Sequence, residues 1–142
     1  MNIEAVDRDF ASLLIGEEAA FSREITERDI DVFGDVSGDK NPLHVDEAYA
    51  MATSYGKRVV HGMFLGALVS RLVGMQLPGK RSLLVRENLE FKHPVYAGET
   101  VTVRGTIVGK SESTRLIEMR IAIEKGSELV ATGTAHVLVR ES

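Results

Sequence analysis

The spacing of apolar positions changes once along this chain, near Pro78. Before that point apolar residues recur every three or four positions, and after it they alternate, so the pattern predicts mainly helices first and strands second. Residues 17–25 read as an opening strand. Thr26, with Asp29 three residues on, then forms a capping-box-like start for a helix carrying Ile30, Phe33 and Ser37 on one side. The turn formers of Ser37-Gly38-Asp39-Lys40-Asn41-Pro42 predict its end. Asp46 is placed to cap a short helix through Tyr49 and Met51. Residues 59–74 form the longest apolar stretch at helical spacing, closed by Gln76-Leu77-Pro78-Gly79.

Beyond Pro78, Leu89, Phe91 and Val95, and then Val101, Val103 and Ile107, predict two strands separated by Tyr96-Ala97-Gly98-Glu99. Ile117, Met119, Ile121 and Ile123 share odd positions, and Leu129, Ala131, Ala135, Val137 and Val139 keep that parity across a Gly126-Ser127 turn. Such parity marks a hairpin with one buried face, and it points His136 away from the core. The buried face needs a cover, and the helix from about His61 to Met75 is the only segment apolar enough to supply it. The expected fold is therefore α+β, an antiparallel sheet wrapped around a long central helix.

A length of 142 residues suits one domain, here 1–142, and leaves no room for a second catalytic or cofactor domain. The formal charge of -4 argues against a protein that coats nucleic acid. Without cysteine there is no thiolate nucleophile, disulfide framework or Cys-based metal site, and four histidines carry any imidazole chemistry. Residues 1–12 contain Glu4, Asp7 and Asp9 and do not resemble a secretory signal, so a cytoplasmic location is expected. The apolar stretch 59–75 is interrupted by His61, Ser70 and Arg71, which argues against a membrane span.

Asp39 and His44 lie five residues apart in the turn segment. An Asp and a neutral imidazole that converge can hold and deprotonate a water while the protonated partner returns a proton to carbon or oxygen. The same spacing also suits an Asx-type turn in which Asp39 satisfies backbone donors and His44 merely sits on a loop. Asn41 and Pro42 shape the turn that brings His44 back toward Asp39, and Asn41 is a further candidate partner of the pair. His61 reads as a packing or hydrogen-bonding residue, and no partner is evident for His93 or His136. No His-x-His or His-Glu-x-x-His pattern occurs, and no metal ligand set is expected.

Phe33, the string Ser37-Gly38-Asp39-Lys40-Asn41-Pro42-Leu43-His44 and Ala50 resemble the signature of the MaoC-like hydratase family. The resemblance extends through Val59-Val60-His61-Gly62-Met63, Gln76-Leu77-Pro78-Gly79 and Phe91-Lys92-His93-Pro94-Val95-Tyr96-Ala97-Gly98-Glu99. It implies a hot-dog fold and an (R)-specific enoyl-CoA hydratase, adding water syn to a trans-2-enoyl-CoA without metal or redox cofactor. By position it implies that Asp39 and His44 grip the water, that the Gly62 amide polarises the thioester carbonyl, and that Ser70 lies in the acyl pocket. A helix amino terminus with a glycine suits the Gly62 role, because it offers a free N–H and lets the thioester approach.

Lys80, Arg81, Arg86 and Lys92 form a basic interval that could meet coenzyme A phosphates, although Glu87 and Glu90 are interleaved. Arg71 interrupts the central helix and must reach solvent, a carboxylate or another chain, and Gly66 and Gly74 suit close approach of a second surface. A homodimer or an assembly of dimers is expected. The competing readings are a 3-hydroxyacyl thioester dehydratase acting on acyl carrier protein or unusual acyl groups, a thioesterase, and a non-catalytic acyl-thioester-binding module on the same fold.

Overall fold

Strands β1 (Glu18–Glu24), β2 (Ser82–Phe91), β3 (Thr100–Ser111), β4 (Leu116–Lys125) and β5 (Glu128–Val139) pair antiparallel in the order β1-β3-β4-β5-β2. The computed structural model describes residues 3–142, so Met1 and Asn2 of the expected single unit lie outside the described residues. Helices α1 (Glu27–Ser37), α2 (Pro42–Val45) and α3 (Glu47–Met51) follow β1, and α4 (Gly62–Met75) precedes β2.

The sheet curls around α4. Leu65, Leu68, Val69, Leu72 and Val73 of the helix are buried against Val103, Ile107, Met119, Ile121, Ala135 and Val137 of the three inner strands. Gly105 of β3 marks the closest approach: a Cβ there would stand 2.6 Å from Leu72 Cδ2 and 2.9 Å from Met119 Cε, so no side chain fits between helix and sheet. Arg71 is exposed on the opposite side of α4, with its guanidinium 4.0 Å from the ring centroid of Phe21 in β1. Its charge is thus accommodated within its own chain.

The capping box at α1 forms as the sequence predicts. Thr26 Oγ1 accepts from the Asp29 amide at 3.2 Å, and Asp29 Oδ2 accepts from the Thr26 amide at 2.8 Å. Arg23 at the end of β1 grips both Asp29 oxygens at 2.8 Å, fastening the opening strand to the start of α1. Asp46 caps α3 through the Tyr49 amide at 3.0 Å.

Three local expectations are corrected. The central helix begins at Gly62 rather than at 59, because Val59 bridges to Tyr96 and the Val60 amide bonds to the Val95 carbonyl, which holds that stretch extended. Those same bonds place Val95 in the connection after β2, buried, rather than in a strand with Leu89 and Phe91. Leu129 is exposed although it shares the odd parity of the core positions, because a bulge shifts the register beside Ile123 and turns Val130 inward instead. His136 does lie on the outer face, opposite Glu118, but it is partly covered. No helix among the described residues is long and apolar enough to cross a membrane.

Candidate active site

The site is assembled where α1 ends. Gly38 closes that helix in the left-handed region at φ 77°, a conformation that favours glycine, and its amide returns to the Gly34 carbonyl at 2.9 Å. Asp39 follows directly. Its Oδ1 accepts from the Asn41 amide at 3.2 Å, so the Asx-type turn of the simpler reading is present. Asn41 Oδ1 in turn caps α2 through the Leu43 amide at 3.0 Å, and Pro42 occupies the first turn of that helix. One helical turn then brings His44 back toward Asp39. Asn41 therefore acts on the backbone, and its side-chain oxygen is committed to the cap.

His44 is fastened on two sides. Its Nδ1 donates to the Val59 carbonyl at 2.6 Å, and its own carbonyl accepts from Arg58 Nε at 2.7 Å, while Arg58 Nη2 reaches Asp31 of α1 at 2.7 Å. A carbonyl can only accept, so the His44 proton sits on Nδ1 and the lone pair of the neutral ring is on Nε2. His61 lies beneath. Its ring stacks on His44 with centroids 4.0 Å apart and planes 24° from parallel, and its Nε2 donates to the Asp39 carbonyl at 2.8 Å. Phe33 meets the His61 ring at 5.0 Å.

Asp39, His44 and His61 each present one ligating atom, all within 4.8 Å of one another. The Nδ1–H of His44 and the Nε2–H of His61 are both spent on carbonyl acceptors, which leaves one lone pair per ring, on His44 Nε2 and on the buried Nδ1 of His61.

Gly62 opens α4, and its amide has no acceptor within the helix by virtue of its first position. The Phe91 ring covers it: a Cβ on Gly62 would stand 3.2 Å from the ring carbons. His44 and Gly62 face a common cavity of about 400 Å³ whose apolar wall includes Leu43, Val60, Leu65 and Phe91. Asp39, beside His44, is exposed and is not part of the cavity lining.

A family model for the MaoC like domain matches residues 10–128. An (R)-specific enoyl-CoA hydratase of Rhodospirillum rubrum is 35% identical over 130 residues, covering 92% of this chain and 90% of that one. The chain belongs to the MaoC-like family. A 3-hydroxybutyryl-CoA dehydratase of Methylorubrum extorquens is 31% identical, covering 92% of this chain and 83% of that one. Among solved structures, the unliganded R-hydratase of Pseudomonas aeruginosa superposes with a TM-score of 0.89 at 32% identity, covering 94% of this chain and 86% of that one. The (R)-hydratase of A. caviae superposes at 0.87 and 36% identity, with 90% and 98% covered.

The MaoC-like chain thus has the hot-dog fold and is a hydro-lyase of the hydratase and dehydratase kind. The fold sets Asp39 beside His44 and His61, and His44 and Gly62 line one cavity, whose lining does not include Asp39. Ser70 is not brought with them: it lies two turns along α4 from Gly62, exposed, and does not line the cavity that His44 and Gly62 share. Of the basic interval, Lys92 alone lines that cavity, 3.0 Å from Glu90, whereas Arg81 is engaged by Asp7 at 2.7 Å. His93, for which the sequence offers no partner, lines it too. Arg58 and Phe91 are further contributors that spacing does not reveal. For His61 and Phe91 the available signal is proximity to motif residues, since one precedes Gly62 and the other opens the Phe91-Lys92-His93-Pro94 string.

Proposed function

We propose that this chain, 1–142, acts as an (R)-specific enoyl-CoA hydratase in the cytoplasm, reversibly adding water to trans-2-enoyl-CoA to give (R)-3-hydroxyacyl-CoA. The observation that carries the reading is the free Nε2 of His44, set beside the Asp39 carboxylate and close to the amino terminus of a 14-residue helix. Water held by Asp39 and His44 loses a proton to this pair as its oxygen bonds to C3. The electron pair of the double bond moves toward the thioester oxygen, where the Gly62 amide offers a preorganised donor. The proton is then returned to C2 from the same side, which makes the addition syn and conserves the catalyst. The dipole of α4 favours the negative charge that develops at its start.

The apolar wall of the cavity supports an acyl substrate, and Lys92 is the candidate for contact with an anionic part of the carrier. Two features support a homodimer or an assembly of dimers. Edge strand β2 leaves Leu83, Val85 and Phe91 exposed, and Asp39 lies open to solvent on the single chain although its chemistry calls for a shielded site.

Crotonyl-CoA tests the proposal: loss of the enoyl thioester absorbance and chiral analysis of the product should show the (R)-3-hydroxy thioester. Turnover confined to the acyl carrier protein thioester would favour the dehydratase alternative. Release of free thiol would mark a thioesterase, and binding without turnover a non-catalytic acyl-binding module.

A further inference from the structure

His61 is the one polar residue among the described residues that is fully buried, at 2% exposure. Burying a polar ring costs free energy unless its polar atoms are bonded, and this ring satisfies only Nε2. Nδ1 is buried without a partner. A phenylalanine would fill the same space with no such penalty, so packing by itself does not account for a histidine here. What the imidazole uniquely supplies is one N–H aimed at the Asp39 carbonyl together with a flat face on which His44 rests.

Those two contacts reach the two partners of the site separately. Asp39 is held through its backbone, 22 residues away in sequence, and His44 through its ring. Phe33 backs His61, and the ring lies 3.8 Å from where a Cβ on Gly34 would be, so it is wedged against α1. The proton is on Nε2, because the carbonyl accepts, and the unpartnered Nδ1 carries the lone pair.

We propose that His61 is a positioning residue of the hydration site: its Nε2–H anchors the turn that carries Asp39 while its ring supports that of His44, keeping carboxylate and imidazole in register. This inference rests on the reading of Asp39 and His44 as the water-activating pair. Registration matters because a misplacement of about 1 Å costs on the order of 10²-fold in rate.

The test compares two amide replacements with different reach. The nitrogen of His61→Gln can take the place of Nε2 and still meet the Asp39 carbonyl, whereas the shorter side chain of His61→Asn cannot. With crotonyl-CoA, His61→Asn should lose about 10²-fold in kcat with KM little changed, while His61→Gln stays within about tenfold of wild type. Equal rates for the two variants, with both folded by circular dichroism, would overturn the proposal. The ring-nitrogen ¹⁵N spectrum of the wild-type chain provides a second readout that needs neither variant nor substrate. It should show His61 protonated on Nε2 and bare on Nδ1, and a proton on Nδ1 instead would overturn the proposed clamp. A wild-type chain inactive toward enoyl thioesters would reject the hydratase reading, and the ¹⁵N spectrum would then judge the clamp by itself.

Discussion

His44 donates its Nδ1 proton to the Val59 carbonyl at 2.6 Å, while the Val59 amide bonds back to the Leu43 carbonyl at 3.2 Å. The imidazole is therefore delivered with its tautomer already chosen and its Nε2 free. The partner is main chain, so the tautomer does not depend on the ionisation of a neighbouring side chain.

Removing either member of the pair should abolish most turnover without unfolding the protein, since Asp39 is exposed and His44 is not part of the apolar core. Asp39→Asn and His44→Ala are each expected to lower kcat/KM for crotonyl-CoA by roughly 10²- to 10⁴-fold, the usual contribution of a general acid or base. A near-normal rate in either folded variant would remove that residue from the pair.

Gly62→Val places a side chain where the Phe91 ring already stands 3.2 Å from a Cβ. Either the ring or the start of α4 must shift, which would displace the amide proposed to meet the thioester oxygen. The expected loss is about 10²-fold or more in kcat, the scale on which one oxyanion donor acts. Steady-state kinetics on the folded variant decide it, and wild-type rates reject the oxyanion role.

The paired hydrogen bonds from Arg23 hold the Asp29 carboxyl down at about 2, from an ordinary 3.8. Because the folded value is depressed, the stabilisation is complete above about pH 4 and is lost as the pH falls toward about 2. Asp29→Asn should therefore lower stability by about 1–2 kcal/mol at pH 7, with Arg23 partly solvent-screened, and by progressively less as the pH approaches 2. Urea unfolding at pH 7, 4 and 2.5 measures this, and a pH-independent difference contradicts it.

Glu87 of β2 presents the opposite case: its Oε1 is buried without a partner, and burial pushes the carboxyl above its usual range. The penalty is absent below the ordinary value of 4.5 and grows as the pH rises through it, because the folded state resists ionisation. Glu87→Gln is expected to raise Tm at pH 7 and to leave it unchanged near pH 3. A lower Tm at pH 7 would reveal a partner for the carboxylate in the assembled protein.

The edge of β2 gives an assembly prediction. Val85 is 52% exposed at the bulge in that strand, and Val85→Lys would place a charge on any surface buried by edge pairing. Sedimentation should show the wild type as a dimer or larger and shift the variant toward a single chain. A fully active wild-type species of 15.5 kDa would contradict the proposed assembly.

Hydrogen bonds and side-chain directions that span only a few residues were legible in the sequence. The Thr26 and Asp29 box, the Asp46 cap, the stop at Gly38 and the alternation through β4 each depend on neighbours along the chain, so residue type and spacing determine them. The motif around Asp39 and His44 was legible for the same reason, and so was the wrapping of a sheet around one apolar helix. Only the tertiary structure decided where that helix starts, because Val59 and Val60 are held extended by Tyr96 and Val95, more than thirty positions away. It likewise turned Leu129 outward at a bulge, left Ser70 on the open face of α4 and laid Arg71 on Phe21. It also joined His61 to Asp39 and His44. These outcomes rest on which surfaces meet after the chain has packed, and spacing along a single segment carries no record of them.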